Sequence, residues 1–374
     1  MKSFFLNPCE QIMFTLGELY ERNGYTHYKM SKFEEYDFYA NHKDFLISEN
    51  VLTFTDTNGK LMALKPDVTL SIVKNARDDI PAVQKVYYHE SVYRVSKGSN
   101  SFRELMQTGL EAIGNVDGYT VFEVLRLAGE SLLCLKNDCV LELSHLGILS
   151  ELLDTMNFSA SEKLKAIRLF GEKNRHGLEL LCRDGSCTED AAAVIQRLSA
   201  IHGTPAQVLP EVRRLLRGYV CEETLSEFAG ITLALDSIES LRGIIFVDFS
   251  AVGDLNYYNG FVFKGFTRGV PDSVISGGQY DTLMKKMGRK SGAVGFAVYP
   301  DRLEQLFRDE REYDVDTLVL YNRAESPEVV SRVADRLRQS GETVLVQSRI
   351  PKGLVCRRTL KIVDGEVKVI AENA

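Results

Sequence analysis

The pattern of apolar and polar residues near the start of the chain predicts a helix, a hairpin and a second helix. Residues 10–23 place apolar side chains on one face at helical spacing, and Gly24 ends the run. Two strand-like runs within 51–65 are joined by Asn58-Gly59, a dipeptide that accepts the positive φ angles of a tight turn. Residues 68–77 return to a helical pattern.

The next segments have the pattern of two long strands around a polar loop. Residues 82–89 and 104–113 have strand character, and residues 95–101 between them are polar. We therefore expect an antiparallel pair of strands with a flexible connection, which is cationic at Lys97. A helix over 119–135 and a short strand over 140–144 are predicted to follow.

The middle of the chain changes from a mixed to a helical pattern. From about 146 to 239 one helical run follows another, with polar breaks between them. Strand patterns return at 243–250 and 259–266. Because strand-rich segments flank the helical stretch on both sides, we interpret 146–239 as an insertion into a single domain.

The end of the chain predicts a second, smaller domain. The charged run 308–314 is typical of a linker. The pattern after it predicts, in order, a strand over 317–321, a helix over 328–340, a strand over 343–347 and a terminal hairpin over 359–371. The expected fold class is α+β, with a core domain over 1–307 and a small α/β domain over 308–374.

Composition narrows the functional classes. The chain has 374 residues and a formal net charge of -7, which favours a small-molecule or protein partner over a polyanion. Its seven cysteines are scattered, and reduced thiols are the default expectation. Cys182 and Cys187 could form a redox pair or half a metal site, but a helix-terminating turn with incidental thiols is the simpler interpretation, so no metal or other cofactor is predicted.

The chain has no segment with the character of a membrane span or a secretory signal. The apolar run at its start is too short for a signal peptide, and about 18 consecutive apolar residues occur nowhere. We therefore expect a cytoplasmic protein without a membrane partner.

Asp67 and Thr69 are the first candidates for ligand binding. They lie in the segment Leu64-Lys65-Pro66-Asp67-Val68-Thr69. A carboxylate and a hydroxyl both accept hydrogen bonds from an ammonium group, and a separation of two positions puts them on one side of an extended turn. The same pattern is also that of an ordinary helix N-terminus.

The second of the two long strands carries a group of polar side chains. Gln107 and Glu111 lie four residues apart, so both point to one face of the sheet. Arg103 belongs to that face, and Arg94 can approach it from the paired strand. These groups either converge on a ligand or form a solvated ladder of cross-strand charges.

Tyrosines and paired glycines follow the helical insertion. Tyr257 and Tyr258 can enclose a planar ring and hydrogen-bond an imidazole nitrogen, or they can be alternate faces of a strand end. Gly277-Gly278 allows close approach of the backbone to a ligand, although a simple turn has the same signature. Tyr280 follows and is a further candidate for a pocket wall.

Together these segments resemble the class II aminoacyl-tRNA synthetase core, specifically its histidyl branch, in the order in which that family has them. The resemblance covers about residues 5–305 and implies an antiparallel sheet flanked by helices. It also implies that Asp67 and Thr69 meet the amino group of bound histidine, that Arg94 and Gln107 face its polar head, and that Glu111 meets the imidazole. Tyr257, Tyr258 and Tyr280 are then walls of the histidine pocket.

The chain departs from this family at positions where the family binds ATP and promotes the activation reaction. Gly253 and Gln279 stand where the family has arginines, and Tyr299 where it has a glycine. The loop after Arg94 lacks the family's ATP-holding acid. Activation of an amino acid by ATP needs cations that offset the negative charge developing at the carboxylate and the phosphate. These losses therefore argue against an activation reaction. Arg103 and Arg302 remain as possible residual residues of the nucleotide side.

This combination is similar to the regulatory subunit family of ATP phosphoribosyltransferase, the synthetase paralogue of histidine biosynthesis. The resemblance implies no catalytic residue, and it implies a hetero-octamer with a short-form catalytic subunit, in which histidine binding mediates feedback inhibition. Self-association as a dimer is also expected, although Ser31 replaces a proline in the family's dimer-forming strand. Specific recognition of tRNA is not expected, because the small domain is shortened after Gln347.

Two alternatives stay open from the sequence. A divergent histidyl-tRNA synthetase is favoured by Arg103 and Arg302, since both are cations that such an enzyme uses. A free-standing histidine-binding module without a phosphoribosyltransferase partner has the same pocket residues. Assays of tRNA charging and co-purification distinguish these classes.

Overall fold

A computed structural model describes residues 8–46, 50–77, 82–95, 101–135, 138–156, 158–184, 187–253, 257–303, 306, 313–363 and 365–372 of the chain. These residues form thirteen α-helices: α1 Pro8–Arg22, α2 Tyr36–Ala40, α3 Val68–Asn75, α4 Gly118–Leu133, α5 Leu146–Asp154, α6 Ala160–Gly171, α7 Arg175–Asp184, α8 Glu189–Leu198, α9 Pro205–Leu216, α10 Glu222–Ser237, α11 Asp281–Lys286, α12 Pro300–Leu303 and α13 Pro327–Gln339. By Cα proximity the chain divides into a first unit, Met1–Leu306, and a second unit, Phe307–Ala374.

The strands of the first unit are β1 Thr26–His27, β2 Phe33–Glu35, β3 Thr53–Thr55, β4 Leu61–Leu64, β5 Gln84–Val95, β6 Phe102–Gly114, β7 Cys139–His145, β8 His202–Gly203, β9 Ile245–Asp248, β10 Phe261–Thr267, β11 Ile275–Gln279 and β12 Gly292–Val298. The second unit contains β13 Val315–Leu320, β14 Val344–Gln347, β15 Cys356–Val363 and β16 Glu366–Glu372. None of the helices in the described parts of the chain is long and apolar enough to span a bilayer.

The first unit is built on a nine-stranded sheet in the order β1-β5-β6-β12-β11-β10-β7-β9-β8. Adjacent strands of this sheet are antiparallel, except that β1 is parallel to β5 and β7 is parallel to β9. The sheet is therefore mixed and mainly antiparallel, with helices flanking it, and the predicted α+β class of fold is confirmed.

The hairpin of β5 and β6 is the longest pairing in this sheet, and both strands extend further toward the loop than predicted. Arg94 lies opposite Arg103, and Glu90 lies opposite Gln107. The start of β6 is exposed, whereas its residues from Gln107 onward are buried. Helices α1 and α4 contact this sheet, and Tyr88 and Val92 of β5 pack in one cluster with Ala63 of β4 and Val68 of α3, which contributes to this burial.

The smaller sheet has three strands in the order β2-β4-β3. The predicted hairpin over 51–65 forms its β3 and β4, and Gly59 in the turn has a φ of +80°. Lys65, which follows β4, is fully buried and forms an ion pair of 2.8 Å with Glu90 of β5. This contact fastens the hairpin, and with it the start of α3, to the main sheet.

The predicted helical insertion comprises α5 to α10, which lie between β7 and β9 in the chain. Their amphipathic sequences begin at recognisable caps, as in the capping box of Ser159 and Glu162 at the start of α6. The expectation that this stretch is entirely helical is wrong in one detail. The two-residue strand β8 pairs with β9 and extends the main sheet, because an exposed sheet edge accepts even a short partner.

The second unit has a four-stranded sheet in the order β14-β13-β15-β16. The strand β13 is parallel to both β14 and β15, and β15 and β16 form the predicted terminal hairpin. Helix α13 contributes Val330 to a cluster that contains Val319, Leu360 and Ile362. The predicted linker lies mostly outside the described residues.

Candidate functional site

A cavity of about 240 Å³ opens on the face of the main sheet in the first unit. We call it the Glu111 cavity after its most buried acidic residue. All eight residues that the resemblance assigned to histidine line it: Asp67, Thr69, Arg94, Gln107, Glu111, Tyr257, Tyr258 and Tyr280. They come from segments far apart in the chain, so the fold brings together what the sequence leaves separate.

Glu111 lies at the floor of this cavity with only 2% of its surface exposed. Thr69 Oγ1 donates a hydrogen bond to Oε1 at 2.8 Å, and the Tyr280 hydroxyl donates one to Oε2 at 2.6 Å. Burial raises the pKa of Glu111 to about 8, although both hydrogen bonds act in the opposite direction. At neutral pH the Glu111 side chain is therefore mainly a protonated carboxyl group.

Glycines make room for the Glu111 side chain. A Cβ atom at Gly295, opposite Glu111 on β12, would lie 1.7 Å from Oε2 of Glu111. Of the two interpretations of Gly277-Gly278, the simple turn is wrong, because both residues belong to β11. Added Cβ atoms there would lie 2.3 Å from the Gly295 carbonyl oxygen and 2.6 Å from that of Phe261. These three glycines are required by close backbone packing.

Asp67 and Arg94 lie together at the side of the cavity. Asp67 Oδ1 accepts a hydrogen bond of 3.0 Å from the Leu70 backbone N–H, so Asp67 is the N-cap of α3. Its other oxygen forms an ion pair of 3.3 Å with Arg94, whose Nε donates to the Pro66 carbonyl oxygen. The helix N-terminus that the sequence predicts at Asp67 is confirmed, and the same residue also lines the cavity, while its contact with a ligand stays a prediction.

The alternative of a solvated charge ladder fits only the outer end of β6. Arg103 is exposed there and is not among the residues lining the Glu111 cavity. Gln107 and Glu111 are 5% and 2% exposed, so they cannot belong to a solvated ladder. The shared face predicted for these residues is right, but the cavity begins only where the strand becomes buried.

Three tyrosines form an aromatic wall of the cavity. The ring centroids of Tyr257 and Tyr258 are 4.7 Å apart, and those of Tyr257 and Tyr280 are 5.7 Å apart. Tyr257 and Tyr258 precede β10, so they are not alternate faces of a strand. Desolvation raises the pKa of all three hydroxyls well above the usual value, and they stay neutral.

The two positions that lack the family's arginines are occupied by neutral groups with defined contacts. Gly253 lines the cavity, and a Cβ atom there would lie 2.4 Å from Cδ2 of Tyr258. Gln279 Oε1 accepts a hydrogen bond of 3.0 Å from the Phe261 backbone N–H. A longer side chain at 253 therefore needs the Tyr258 ring to move, and Gln279 is committed to β10.

Arg302, the cation retained from the family, faces a tyrosine. Its guanidinium carbon lies 4.4 Å from the ring centroid of Tyr299, and it donates a hydrogen bond to the Ser273 carbonyl oxygen. The Tyr299 hydroxyl is 2.6 Å from Ser276 Oγ, and both residues line the cavity. The face of the guanidinium is thus covered by a side chain of the protein itself.

Lys264 is a cavity residue that the sequence prediction missed. Alternation along β10 could have found it, because Val262 and Lys264 point to the same face as the cavity. Lys264 is also close to the carboxylates of Glu142 and Asp248, while desolvation lowers its pKa.

The carboxylates of Glu142 and Asp248 lie near His202, and the potential metal-ligand atoms of these three residues are within 4.8 Å of one another. Asp248 also forms an ion pair of 2.8 Å with Lys173. With two lysines beside two carboxylates, this group is an ion network of balanced charge.

Two segments that the sequence prediction used lie outside the described residues. They are residues 96–100, with Lys97 of the loop between β5 and β6, and residues 254–256 before Tyr257. The described part of the cavity combines a buried carboxyl group, a second carboxylate paired with an arginine, hydroxyl groups and aromatic rings. This set suits a small ligand that carries both an ammonium group and a planar ring with hydrogen-bonding nitrogens.

The comparisons with known proteins agree on one family. The family model described as histidyl-tRNA synthetase matches residues 6–303. A protein named ATP phosphoribosyltransferase regulatory subunit from Oceanobacillus iheyensis is 24% identical over 347 residues, which is 91% of this chain and 85% of that protein. A protein named histidine–tRNA ligase from Methanocaldococcus jannaschii is 26% identical over 342 residues, covering 88% and 79%.

Solved structures agree with the sequence comparisons on the fold. A structure described as an ATP phosphoribosyltransferase regulatory subunit/histidyl-tRNA synthetase from Bacillus halodurans has a TM-score of 0.74 at 22% identity, covering 93% of each chain. A chain in the ATP phosphoribosyl transferase (HisG:HisZ) complex from Thermotoga maritima has a TM-score of 0.62 at 18% identity, covering 79% of this chain and 98% of that one.

The resemblance predicted from separated motifs is confirmed, both to the synthetase core and to proteins named as regulatory subunits. The family model spans the whole Glu111 cavity, from Phe45 to Tyr299, together with the helical insertion. This chain therefore belongs to the histidyl-tRNA synthetase family.

Proposed function

We propose that this chain is a non-catalytic regulatory subunit of ATP phosphoribosyltransferase, the first enzyme of histidine biosynthesis, and that histidine is the ligand of the Glu111 cavity. One observation carries the proposal. The eight predicted histidine contacts line a single cavity, while the positions that would serve an activation reaction hold neutral or already engaged groups.

Histidine fits the chemistry of the cavity at both of its ends. Asp67 and Thr69 can accept hydrogen bonds from the α-ammonium group, and Arg94 and Gln107 can meet the carboxylate. Glu111 and the tyrosines surround a space for the imidazole, where a buried carboxyl group can share a proton with a ring nitrogen. An amino acid without a ring nitrogen would leave Glu111 without that partner, which makes it a weaker ligand.

The same geometry supports the proposal that the chain has no synthetase activity. The negative charge that develops during activation needs cations placed beforehand, and removing one such group typically costs roughly a hundredfold or more in rate. Gly253 and Gln279 supply no charge, and the Tyr299 ring covers Arg302. We therefore assign no catalytic residue to the chain.

The names of the relatives support the regulatory role. Several curated relatives at 24–27% identity are named ATP phosphoribosyltransferase regulatory subunit. The Thermotoga maritima structure is that of a complex between two kinds of subunit, HisG and HisZ. We propose a corresponding assembly here, in the cytoplasm: a dimer of this chain bound to short-form catalytic subunits in a hetero-octamer, without specific tRNA recognition.

Feedback inhibition by histidine requires a difference between states. A ligand shifts an assembly only by binding one of its states more tightly, and the coupling is reciprocal between the two binding events. If histidine in the Glu111 cavity favours an inactive assembly, binding of the catalytic subunit must change the affinity of this chain for histidine. Histidine must then change the affinity for the catalytic subunit in that assembly by the same factor.

Three measurements on the purified chain test the proposal. Calorimetric titration is expected to show histidine binding, and histidine-dependent exchange of pyrophosphate into ATP is expected to be absent. Mixing with a short-form catalytic subunit is expected to raise phosphoribosyltransferase activity and to make it sensitive to histidine. Robust pyrophosphate exchange with tRNA charging would instead establish a divergent synthetase, and binding of histidine without any effect on the catalytic subunit would leave a free-standing binding module.

A further inference from the structure

The Glu111 cavity contains a cation that the protein leaves without a close partner. Lys264 of β10 lines the cavity and is half-buried. Its ammonium group forms no hydrogen bond and no ion pair with the described residues, and the carboxylates of Glu142 and Asp248 attract it only from a greater distance. A partly desolvated ammonium group without a partner is stabilised by an anion that binds next to it.

The two nearby carboxylates have closer partners of their own. Asp248 forms its ion pair of 2.8 Å with Lys173, and it also accepts a hydrogen bond of 2.8 Å from the Ser250 backbone N–H. Glu142 Oε1 lies 3.8 Å from Nε2 of His202. The charge of Lys264 is therefore not used up by the network beside it and is available on the side of the cavity.

The other cation of the cavity is already engaged. Arg94 and Lys264 are the arginine and lysine side chains among the described residues that line the cavity. Arg94 forms an ion pair of 3.3 Å with Asp67, and its Nε donates to the Pro66 carbonyl oxygen at 2.7 Å. Because Asp67 balances Arg94 and Glu111 is mainly protonated at neutral pH, Lys264 is the unbalanced charge of the cavity.

The strand registers place Lys264 across the cavity from Glu111. Glu111, Gly295, Gly278 and Val262 form one cross-strand row over β6, β12, β11 and β10. Three strand spacings, or about 14 Å, separate the backbones at the two ends of this row. Lys264 follows Val262 by two positions and shares its face, and the two glycines leave the face of the sheet between them open. A small ligand with a ring at Glu111 can therefore direct its other end toward Lys264.

Two hydroxyl groups lie beside Lys264. Ser276 is opposite Lys264 on β11, and its Oγ is 2.6 Å from the hydroxyl of Tyr299. All three side chains line the cavity. Hydroxyl and ammonium groups both donate hydrogen bonds, and hydrogen bonds to an ionised acceptor are the stronger ones. The three groups together suit a carboxylate.

We propose that Lys264, Ser276 and Tyr299 form a subsite for the α-carboxylate of the ligand, with Lys264 as its cation. This inference rests on the proposed function, because it takes histidine to be the ligand of the Glu111 cavity. It makes Lys264 a determinant of specificity, which favours an amino acid over the corresponding amino alcohol. We call the three residues the carboxylate subsite.

Histidinol tests the subsite in the full chain. It keeps the imidazole and the ammonium group of histidine, and a hydroxymethyl group replaces the carboxylate. The wild type is expected to bind histidine about tenfold or more tightly than histidinol, because hydrogen bonds to charged groups are lost with the carboxylate. Calorimetric titration with both ligands near pH 7 measures this ratio.

Variants at Lys264 assign the preference to one side chain. Lys264→Met is expected to weaken histidine binding about tenfold or more and histidinol binding by no more than about twofold. Lys264→Arg keeps the positive charge and is expected to retain the preference for histidine. Lys264→Gln is a second neutral variant that replaces Lys264→Met where the latter does not fold.

Lys60→Met is the control for net charge. Histidinol carries one positive charge more than histidine, so a change in the charge of the protein could by itself alter the ratio of affinities. Lys60 is exposed, pairs with Glu35 and is not among the residues lining the cavity. Its substitution removes the same charge and is expected to leave the ratio unchanged, because exposed charges are screened.

Three results would overturn the carboxylate subsite. The first is a wild type that binds histidinol as tightly as histidine, a comparison that needs no variant. The second is an equal loss for both ligands in the neutral variants at Lys264, which would mean that Lys264 acts only on the fold. The third is an unchanged ratio in those variants, which excludes the subsite but leaves histidine binding and the proposed function intact. A wild type that does not bind histidine would instead overturn the subsite and the proposed function together.

Discussion

At the scale of single residues, the Glu111 carboxyl group is the most informative part of the molecule. It is buried, it accepts hydrogen bonds from Thr69 and Tyr280, and burial raises its pKa to about 8. An imidazole in free solution has a pKa of about 6.5. A bound pair of Glu111 and imidazole holds one proton most favourably, either as two neutral groups or as an ion pair.

This proton count predicts how histidine affinity depends on pH. Between about pH 6.5 and about pH 8 the separated groups already carry one proton, so binding needs no proton exchange. Below this window the free groups carry two protons and must release one, and above it they carry none and must take one up. Affinity is expected to be highest within the window and to fall on both sides by up to about tenfold per pH unit. Calorimetry at a series of pH values measures it.

The variant Glu111→Gln separates this cause from titration of the ligand. Glutamine does not titrate, so the loss of affinity above pH 8 should disappear in the variant, while affinity within the window should drop. Tyr280 and the other cavity tyrosines do not interfere, because burial keeps their pKa values well above this range. A wild-type affinity that stays constant from about pH 7 to about pH 9 would contradict the proton count.

Gly295 provides a second test at the same scale. In Gly295→Ala the new methyl group would lie 1.7 Å from Glu111 Oε2 and 2.5 Å from the Leu110 carbonyl oxygen, so the carboxyl group or the strand must move. We expect histidine binding to weaken at least about tenfold, and we expect a loss of stability of about 1–3 kcal/mol from overpacking.

Gly230 is the matched control for that substitution. It lies in α10 with nothing within 4 Å of an added Cβ atom, and its φ is not positive. Gly230→Ala is therefore expected to leave histidine binding unchanged and to stabilise the fold by about 0.5–1 kcal/mol. Chemical denaturation and calorimetry of both variants give the comparison, and an undiminished histidine affinity in Gly295→Ala would show that Glu111 has no role in binding.

At the scale of elements, the pair of Lys65 and Glu90 holds the three-stranded sheet and α3 against β5. Lys65 is completely buried, and Glu90 also accepts a hydrogen bond from the Met30 backbone N–H. Asp67 and Thr69 follow Lys65 by two and four positions in the chain, so this anchor also sets the position of one side of the cavity.

Breaking this buried pair should be costly. Lys65→Met leaves the Glu90 carboxylate without its cationic partner, so we expect a loss of about 3–5 kcal/mol in the free energy of unfolding. The exposed pair of Lys60 and Glu35 on the same small sheet, at 2.6 Å, is the control, and Lys60→Met should leave stability almost unchanged. Denaturant titrations measure both variants, and equal effects would contradict the anchoring role of Lys65.

Elements with a strong periodic pattern of polar and apolar residues were predictable from the sequence, whereas elements that depend on contacts between distant segments were not. The helix α1, the hairpin of β5 and β6 and the terminal hairpin lie close to their predicted positions, because the alternation of polar and apolar residues follows local geometry. Strands β8 and β11 were missed. The first is two residues long, and the second contains paired glycines that local rules assign to a turn.

At the scale of the whole molecule, the chain divides into two units, and the Glu111 cavity belongs entirely to the first. A chain that ends at Leu306 keeps all of the residues that line the cavity. We expect it to unfold cooperatively and to bind histidine with unchanged affinity. Denaturant titration and calorimetry test this, and a large loss of histidine affinity would show that the second unit supports the cavity.

The sequence alone determined the family and a set of candidate ligand contacts, and it predicted a two-part organisation. Those properties depend on residue identity and on periodic patterns, which are read along the chain. It also showed that arginines were missing at Gly253 and Gln279, but it could not show what takes their place.

Only the tertiary structure decided what takes the place of the missing arginines. It places the Tyr258 ring where a side chain at 253 would begin, it engages Gln279 with β10, and it sets Tyr299 over Arg302. It also decided which polar residues of β6 are buried, and it raised the pKa of Glu111 by desolvation. These properties arise from contacts between segments distant in sequence, and burial and proximity of this kind exist only once the chain has folded.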